Sequence, residues 1–294
     1  MAYRLRAVSP FPGPDDTIRA DKYLDKCVEK LPDLLVEAPS LRLVQACITI
    51  GMLLETSERC ERAPFFVSMA IRFAHELGYN DLPNDSTAVT VEQLEKRYVF
   101  WQAFFMDAHM SFARQRTCSI RLDDISTPIP SASTCNWWEP SDEGPGHGQW
   151  NLNVFALHCG LAVIEAAAAE QLFTASARRQ SLDRTRRSYD AAIAQLHDWR
   201  ISNPLANLDA SDVLKSMYRS DIVLSIILEA SYFRTLYQLH ATWSLTNFGE
   251  KVDIFSPESL GSMMRMGRAS YHADAVRLLR LMVLTPQGDV STTW

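Results

Sequence analysis

The sequence has 294 residues, is 47% hydrophobic and carries a formal net charge of −6. This length and hydrophobic content suffice for one large domain or two small ones. Domains that bind DNA are usually basic, because Lys and Arg must neutralise phosphates, so the composition argues against DNA binding by this chain alone.

The first part of the chain is predicted to be helical, because apolar residues recur with helical spacing and strand-like alternation is scarce. After a loose leader at 1–19, a short helix is expected at 21–30. A second helix opens after Ser40, and a third covers 62–77. Gly78 then suits the left-handed conformation that ends many helices.

The next helix is predicted at 91–112, after a polar loop. Thr90 and Gln93 have the spacing of a capping box, in which each side chain accepts a hydrogen bond from the backbone N–H of the other residue. A loop rich in Ser, Pro and Gly follows at 131–150. Loops of this length are usually either functional or disordered.

Four further helices are predicted, at 151–176, 183–200, 211–243 and 257–284. The third of these is apolar nearly all round, which is typical of a helix in the middle of a bundle. The sequence therefore predicts an all-α fold, a single multi-helix bundle or irregular α-solenoid of about eight helices, with one domain at 20–294.

The six cysteines form no C-x-x-C pair, and most lie in apolar helical patterns, which indicates a reduced compartment. Tetrahedral zinc sites usually take ligands in close pairs, so no metal or other cofactor is expected in this chain. Pro10, Pro12 and Pro14 stand where a signal peptide needs apolar residues, and the most apolar run, 222–228, is too short to span a bilayer. A soluble protein with no membrane segment is expected.

A row of polar residues, Asp221, Ser225 and Glu229, follows helical spacing on the otherwise apolar helix. A buried carboxylate must be paired or protonated. The row therefore either pairs with an arginine of another helix or forms the wall of a pocket for a polar small molecule. Trp137 and Trp138 either cover such a pocket as a lid or anchor the long loop by burying aromatic area.

Five arginines lie close together in sequence, and clusters of this kind can bind nucleic acid or the acidic helix of a partner. A solvated face is favoured, because no aromatic residues interleave to stack on bases. The five are Arg178, Arg179, Arg184, Arg186 and Arg187.

Several segments, taken in order, resemble the middle homology region of fungal zinc-cluster transcription factors, also called the fungal-specific transcription factor domain. The similarity extends over most of residues 20–285. The matching segments are LRLVQA at 41–46, MAIRFAHELGY at 69–79, EKR at 95–97 with Phe100, Trp101 and Asp107, Ser111 with DDI at 123–125, Pro128 and Pro130, and the segment 199–204.

The resemblance implies an all-α regulatory domain in which Arg97, Trp101, Asp107, Arg116 and Asp124 hold the structure together. Arg97 lies near the start of its helix, where the helix dipole disfavours a cation. A carboxylate partner, at position 107, 123 or 124, is therefore expected for Arg97.

The sequence departs from the family in two respects. The Gly-Arg-Pro turn of the family is Gln115-Arg116-Thr117 here, so this turn is expected to be built differently. The six-cysteine DNA-binding module is expected to be missing, and zinc would be bound only in that module.

Two hypotheses about function follow. The first is a nuclear regulatory domain of a zinc-cluster-type transcription factor, which controls a metabolic or secondary-metabolite pathway. Its expected partners are transcriptional co-regulators or a small-molecule effector, with DNA only through the missing module, and a homodimer is the candidate assembly. The alternative is a stand-alone, cytoplasmic small-molecule-binding protein or enzyme of secondary metabolism on the same scaffold. Enzymatic activity is not favoured, because no catalytic residues are identified.

Overall fold

The computed structural model describes residues 14–30, 38–55, 57, 59–83, 90–130, 154–207, 219–248 and 270–284, with the isolated residues 33, 36 and 209. Within these ranges the chain forms eight α-helices and no β-strand, which confirms the predicted all-α fold. The helices are α1 (Pro14–Glu29), α2 (Leu41–Glu55), α3 (Ala63–Glu76), α4 (Val91–Ala113), α5 (Val154–Leu172), α6 (Leu182–Ser202), α7 (Arg219–Phe248) and α8 (Ser270–Leu284).

The chain divides into two compact units, where the sequence predicts a single domain at 20–294. The first unit comprises Met1–Met110, Cys118–Pro130 and Pro286–Trp294. The second comprises Ser111–Thr117 and Ser131–Thr285.

The start of the chain also differs from the prediction. Helix α1 begins at Pro14, inside the segment 1–19 that the sequence predicts as a leader. Proline suits the first turn of a helix, because the N–H that it lacks has no partner there in any helix. The prediction missed this start because it relied on apolar periodicity, which the three prolines at 10, 12 and 14 interrupt.

Helices α2 and α3 pack against each other in the first unit. The Ser40 hydroxyl accepts a hydrogen bond from the Leu43 amide at 3.3 Å and so caps the start of α2. Helix α3 ends at Glu76, and Gly78 just after it has a φ of 70°, the left-handed conformation predicted for it. The packed face of the pair is apolar and fully buried at Val44, Cys47, Leu54, Val67 and Ala70.

Helix α4 starts with the predicted capping box. The Thr90 amide donates to Gln93 Oε1 at 3.0 Å, and the Gln93 amide donates to Thr90 Oγ1 at 3.2 Å. Both bonds satisfy amides that have no partner within the helix, which confirms the prediction. Further along α4, Phe100 and Phe104 are completely buried, and burial of such a side chain contributes roughly 1.5–3 kcal/mol.

The core of the second unit lies between α5, α6 and α7. Helix α5 approaches its neighbours closely through small side chains, since Ala162, Ala166 and Ala169 are fully buried. Among the described helices, α5 alone is long and apolar enough to cross a bilayer, and 61% of its most apolar window is buried in the fold. This test uses only length and composition, and buried core helices also pass it.

Candidate functional site

The motif residues at the end of the first unit fasten a loop to the fold. This loop, residues 118–130, is called the docked loop below. The amides of Ser126 and Thr127 both donate to the carbonyl oxygen of Asn80 at 2.9 Å. The Thr127 hydroxyl donates to the Tyr79 carbonyl at 2.7 Å and accepts from the Leu82 amide at 2.8 Å. Backbone groups that no helix satisfies are thereby paired.

Asp124, one of the predicted motif residues, takes part through its backbone. Its carbonyl oxygen accepts a hydrogen bond from the Asn80 side-chain amide at 2.7 Å, while its side chain is exposed. The neighbouring hydroxyl of Ser126 donates to the Asp81 carboxylate. The aspartates of this segment therefore mark a turn that is held by backbone contacts.

Trp101 joins the docked loop to helix α4. Its indole Nε1 donates to the carbonyl oxygen of Pro128 at 2.9 Å, and only 2% of the residue is exposed. Its ring also makes edge-to-face contacts with Phe100 and Phe104, at centroid distances of 5.7 and 5.3 Å. One side chain therefore contributes both apolar burial and a partner for a loop carbonyl.

Asp107 holds the beginning of the docked loop. Its Oδ2 accepts from the Ser119 amide at 2.6 Å, and its Oδ1 accepts from the Ser119 hydroxyl at 2.7 Å. The residue is only 2% exposed, and this burial raises the pKa of its carboxyl above the ordinary value, against the lowering effect of the two hydrogen bonds. The sequence singled out Asp107 but gave no sign of Ser119 as its partner.

The carboxylate partner expected for Arg97 is not found among the described residues. Arg97 Nη2 donates to the carbonyl oxygen of Pro83 at 3.2 Å, and within the described ranges no ion pair joins it to Asp107, Asp123 or Asp124. Ten helical residues separate Arg97 from Asp107, a rise of about 15 Å, so the two side chains cannot meet. Asp123 pairs instead with Arg121 at 3.3 Å.

The turn after α4 is built on a left-handed residue. The Arg116 amide donates to the Ser111 carbonyl at 2.9 Å, and the Gln115 amide donates to the Phe112 carbonyl at 3.0 Å. This pair of bonds is the Schellman motif. Its left-handed position is Gln115, with a φ of 53°, and a glycine suits that conformation best. The turn therefore keeps a geometry that favours glycine, although a glutamine occupies its left-handed position.

Glu229 lies in a buried ion pair between two helices of the second unit. It is 1% exposed, and its Oε1 accepts from Arg200 Nη1 of α6 at 2.9 Å. The guanidinium of Arg200 also lies over the ring of Tyr232, 4.7 Å from its centroid. Arg277 of α8 approaches the same carboxylate at 3.7 Å. Of the two interpretations of the polar row, the geometry of Glu229 is that of the structural ion pair.

A second buried carboxylate, Glu165 of α5, was missed by the sequence analysis. It accepts hydrogen bonds from the Thr235 hydroxyl and from Arg234, the latter at 3.2 Å. Its position in an alanine-rich helical run gave no signal, because its partners lie about 70 residues later in the chain. Both buried carboxylates therefore involve α7, because Glu229 lies on this helix and Glu165 binds two of its residues, Arg234 and Thr235.

The remaining candidate pocket residues cannot be placed together. Trp137 and Trp138 lie outside the described residues. Asp221 belongs to α7, but its side chain also lies outside the description. The predicted lid and pocket therefore stay a prediction.

The five clustered arginines are all exposed. Two of them are tied to backbone: Arg178 donates to the Gln115 carbonyl at 3.0 Å, and Arg179 to the Ala175 carbonyl at 3.1 Å. Arg186 contacts Asp190 at 3.7 Å and lies over the Trp243 ring. Arg184 and Arg187 form no ion pair with any side chain in the part of the chain that the structure describes.

A metal centre has no counterpart in the described ranges, where no group of three or more His, Cys, Asp or Glu side chains is placed to hold an ion. Of the five described cysteines two are buried, and burial raises the pKa of the Cys47 thiol to about 11 and shifts the pKa of Cys159 in the same direction. Such thiols act as small core residues.

Comparison with known proteins identifies the family. A family model described as the fungal specific transcription factor domain matches residues 4–234. A protein named "ABC-transporter-regulating transcription factor" from Aspergillus fumigatus is 23% identical over 305 aligned positions, which cover 100% of this chain and 33% of that protein. A protein of the same name from Aspergillus oryzae is also 23% identical, with the same coverage.

This chain spans about a third of the length of those relatives. No solved structure matches the chain. The family match covers more than half of the sequence and includes every motif residue from Arg97 to Asp124. The chain therefore belongs to the fungal-specific transcription factor domain family.

Proposed function

We propose that this chain is the regulatory domain of a nuclear transcription factor, which reads DNA through a zinc-cluster module and not through the domain itself. The observation that carries the proposal is the family match over residues 4–234. The net charge of −6 supports a role other than DNA binding for this domain. The contacts of Trp101 and Asp107 support it further, because these motif residues are occupied in holding the fold.

We propose metabolic genes as the targets, with a membrane transporter gene among them. The support is the name of the two Aspergillus relatives, which describes them as regulators of ABC transporters. Messenger RNA levels in a fungal strain that lacks the gene test this part. Reduced or raised transporter transcripts are expected, and an unchanged set of transporter transcripts would contradict it.

For the partner, we propose a co-regulator protein with an acidic surface, which binds the exposed arginines at 178–187. Charge complementarity supports this choice, since Arg184 and Arg187 have no carboxylate partner among the described residues. Replacement of both by glutamate is expected to weaken binding to nuclear co-regulators and to reduce its dependence on salt. A suitable control is Arg72→Glu, at an exposed arginine of α3 that pairs with Glu76.

A small-molecule effector and a homodimer are the other outcomes of such binding measurements. Native mass spectrometry of the purified chain separates them, because it reports bound mass and subunit number together. The alternative of an enzyme or stand-alone binding protein is not favoured by any contact in the described ranges, since Glu229 is taken up by Arg200.

A reporter assay tests the regulatory role. The chain is inserted between an unrelated DNA-binding domain and an activation segment, and expression of a reporter gene is measured in a fungal host. The inserted chain is expected to change expression, relative to an unrelated helical domain of the same length, in a manner that depends on growth conditions. Identical expression from both fusions under all conditions would overturn the proposal.

A further inference from the structure

Ser119 combines an exposed position with a direct contact to a buried charge. The residue itself is exposed, while the Asp107 carboxylate that its hydroxyl contacts at 2.7 Å is 2% exposed. The same hydroxyl lies 2.8 Å from the Ser68 hydroxyl. A chemical group added to this oxygen would be reachable from solvent and would touch the contact that fixes the start of the docked loop.

The sequence around Ser119 carries the charge pattern of a kinase substrate. Arg116 stands three residues before it and Arg114 five residues before it, and both are exposed. Residues 116–121 lie outside any helix, so the segment does not have to unwind a helix to enter an extended binding cleft. Kinases that select arginine at these two positions recognise them through complementary acidic pockets.

We propose that Ser119 is a phosphorylation site for an arginine-directed serine kinase, and that the phosphate loosens the docked loop. In the reaction the Ser119 hydroxyl oxygen attacks the γ-phosphorus of a nucleoside triphosphate. A new oxygen–phosphorus bond forms, the bond to the β-phosphate oxygen breaks, and the nucleoside diphosphate leaves. The hydroxyl proton passes to the catalytic base of the kinase.

The consequence follows from charge. A phosphoserine carries about −1.5 to −2 charges at neutral pH, and it no longer has the hydroxyl proton that Asp107 accepts. Two anions would then meet where one of them is shielded from water, and like charges in such a place repel strongly. The docked loop relieves this repulsion by moving away, which also strains the contacts of Thr127 and Pro128 with the rest of the unit.

The modification is tested with purified chain, magnesium ATP and a kinase that selects arginine at the third and fifth positions before serine. Thr117→Ala is used as the background, because Thr117 also has an arginine three residues before it. Mass spectrometry is expected to place the phosphate on Ser119. Arg116→Ala should slow the reaction about tenfold or more, whereas Arg121→Ala, an exposed arginine after the site, should not. Absence of phosphate on Ser119, or equal rates for all variants, would overturn the proposal.

The conformational consequence is tested on the phosphorylated chain. Limited proteolysis should cut within 118–130 faster than in the unmodified chain, and the melting temperature should fall by several degrees. In Asp107→Asn, which lacks the second charge, phosphorylation should lower the melting temperature by less. An unchanged cleavage rate after full phosphorylation, or an equal fall in both proteins, would overturn the loosening. These measurements stand apart from the reporter assay, so either proposal can fail alone.

Discussion

Trp101 and Pro128 are joined by a hydrogen bond of 2.9 Å from the indole nitrogen to the proline carbonyl. The bond links helix α4 to a loop that contains one short 3₁₀ turn, Leu122–Asp124, and is otherwise irregular. In the same unit, Asp107 binds Ser119 and Asn80 binds the amides of Ser126 and Thr127. The loop is thus fixed at its beginning, its middle and its end.

Trp101→Phe is expected to lower the free energy of unfolding by about 1–3 kcal/mol, because the Pro128 carbonyl loses its donor and a small cavity remains. Trp199→Phe serves as the control, since Trp199 stacks on Tyr232 without donating a hydrogen bond in the described ranges. Denaturant unfolding of both variants provides the measurement. Equal losses of unfolding free energy in the two variants would mean that the hydrogen bond to Pro128 makes no stabilising contribution of its own.

Gln115→Gly and Gly78→Ala form a matched pair of opposite sign. Gln115 has a φ of 53° and Gly78 a φ of 70°, and both conformations favour glycine. A Cβ at Gly78 would meet no atom within 4 Å, so backbone strain alone determines its effect. Gln115→Gly is expected to stabilise by about 0.5–1 kcal/mol, and Gly78→Ala to destabilise by about 1 kcal/mol. Thermal unfolding of the two variants would reject this reading if both changes destabilised.

Arg200→Met is expected to cost about 3–5 kcal/mol, because among the described residues it leaves the buried Glu229 carboxylate with only the more distant Arg277 beside it. The double variant Arg200→Met, Glu229→Met should cost clearly less than the sum of the single changes, since no unpaired charge remains. Arg72→Met, which breaks an exposed pair with Glu76, should have almost no effect. Additive losses in the double variant would contradict the buried pair.

Stability should depend on pH through His240. Burial lowers the pKa of His240 below its ordinary value of 6.5, and a neutral ring can accept the Tyr189 hydroxyl at Nδ1, 2.7 Å away. The unfolded chain therefore takes up a proton first as the pH falls below about 6.5, and the folded chain loses stability in that range. The free energies of unfolding of the wild type and of His240→Gln are measured over about three pH units around the ordinary value, from about pH 8 to about pH 5. The difference between the two proteins should become smaller as the pH falls. A constant difference would disprove the shift.

Local signals in the sequence predicted the parts of the fold that local physics determines. Thr90 and Gln93 are three residues apart, so their capping box follows from spacing alone. Gly78 likewise marks a helix end, because a left-handed residue is needed there. The left-handed turn at Gln115 was not anticipated, since a glutamine gives no sign of that conformation.

The sequence did not predict contacts between residues that meet only in the tertiary fold. The turn at the end of α4 separates Ser119 from Asp107 in the sequence, and nothing distinguishes this serine from Ser111 or Ser126 as a partner. Arg277 reaches Glu229 from a helix 48 residues later in the chain. The prediction of a carboxylate partner for Arg97 was wrong, because residues that belong to one sequence motif were assumed to lie close together in the fold.

Hydrogen–deuterium exchange at the amides of Ser119, Ser126 and Thr127 tests most directly that the docked loop is a fixed part of the fold. All three amides donate to acceptors elsewhere in the same unit. They should exchange as slowly as amides in the middle of α4, although they lie outside any helix. Exchange at the rate of unprotected amides would contradict the docked loop and, with it, the structural role assigned to the motif residues.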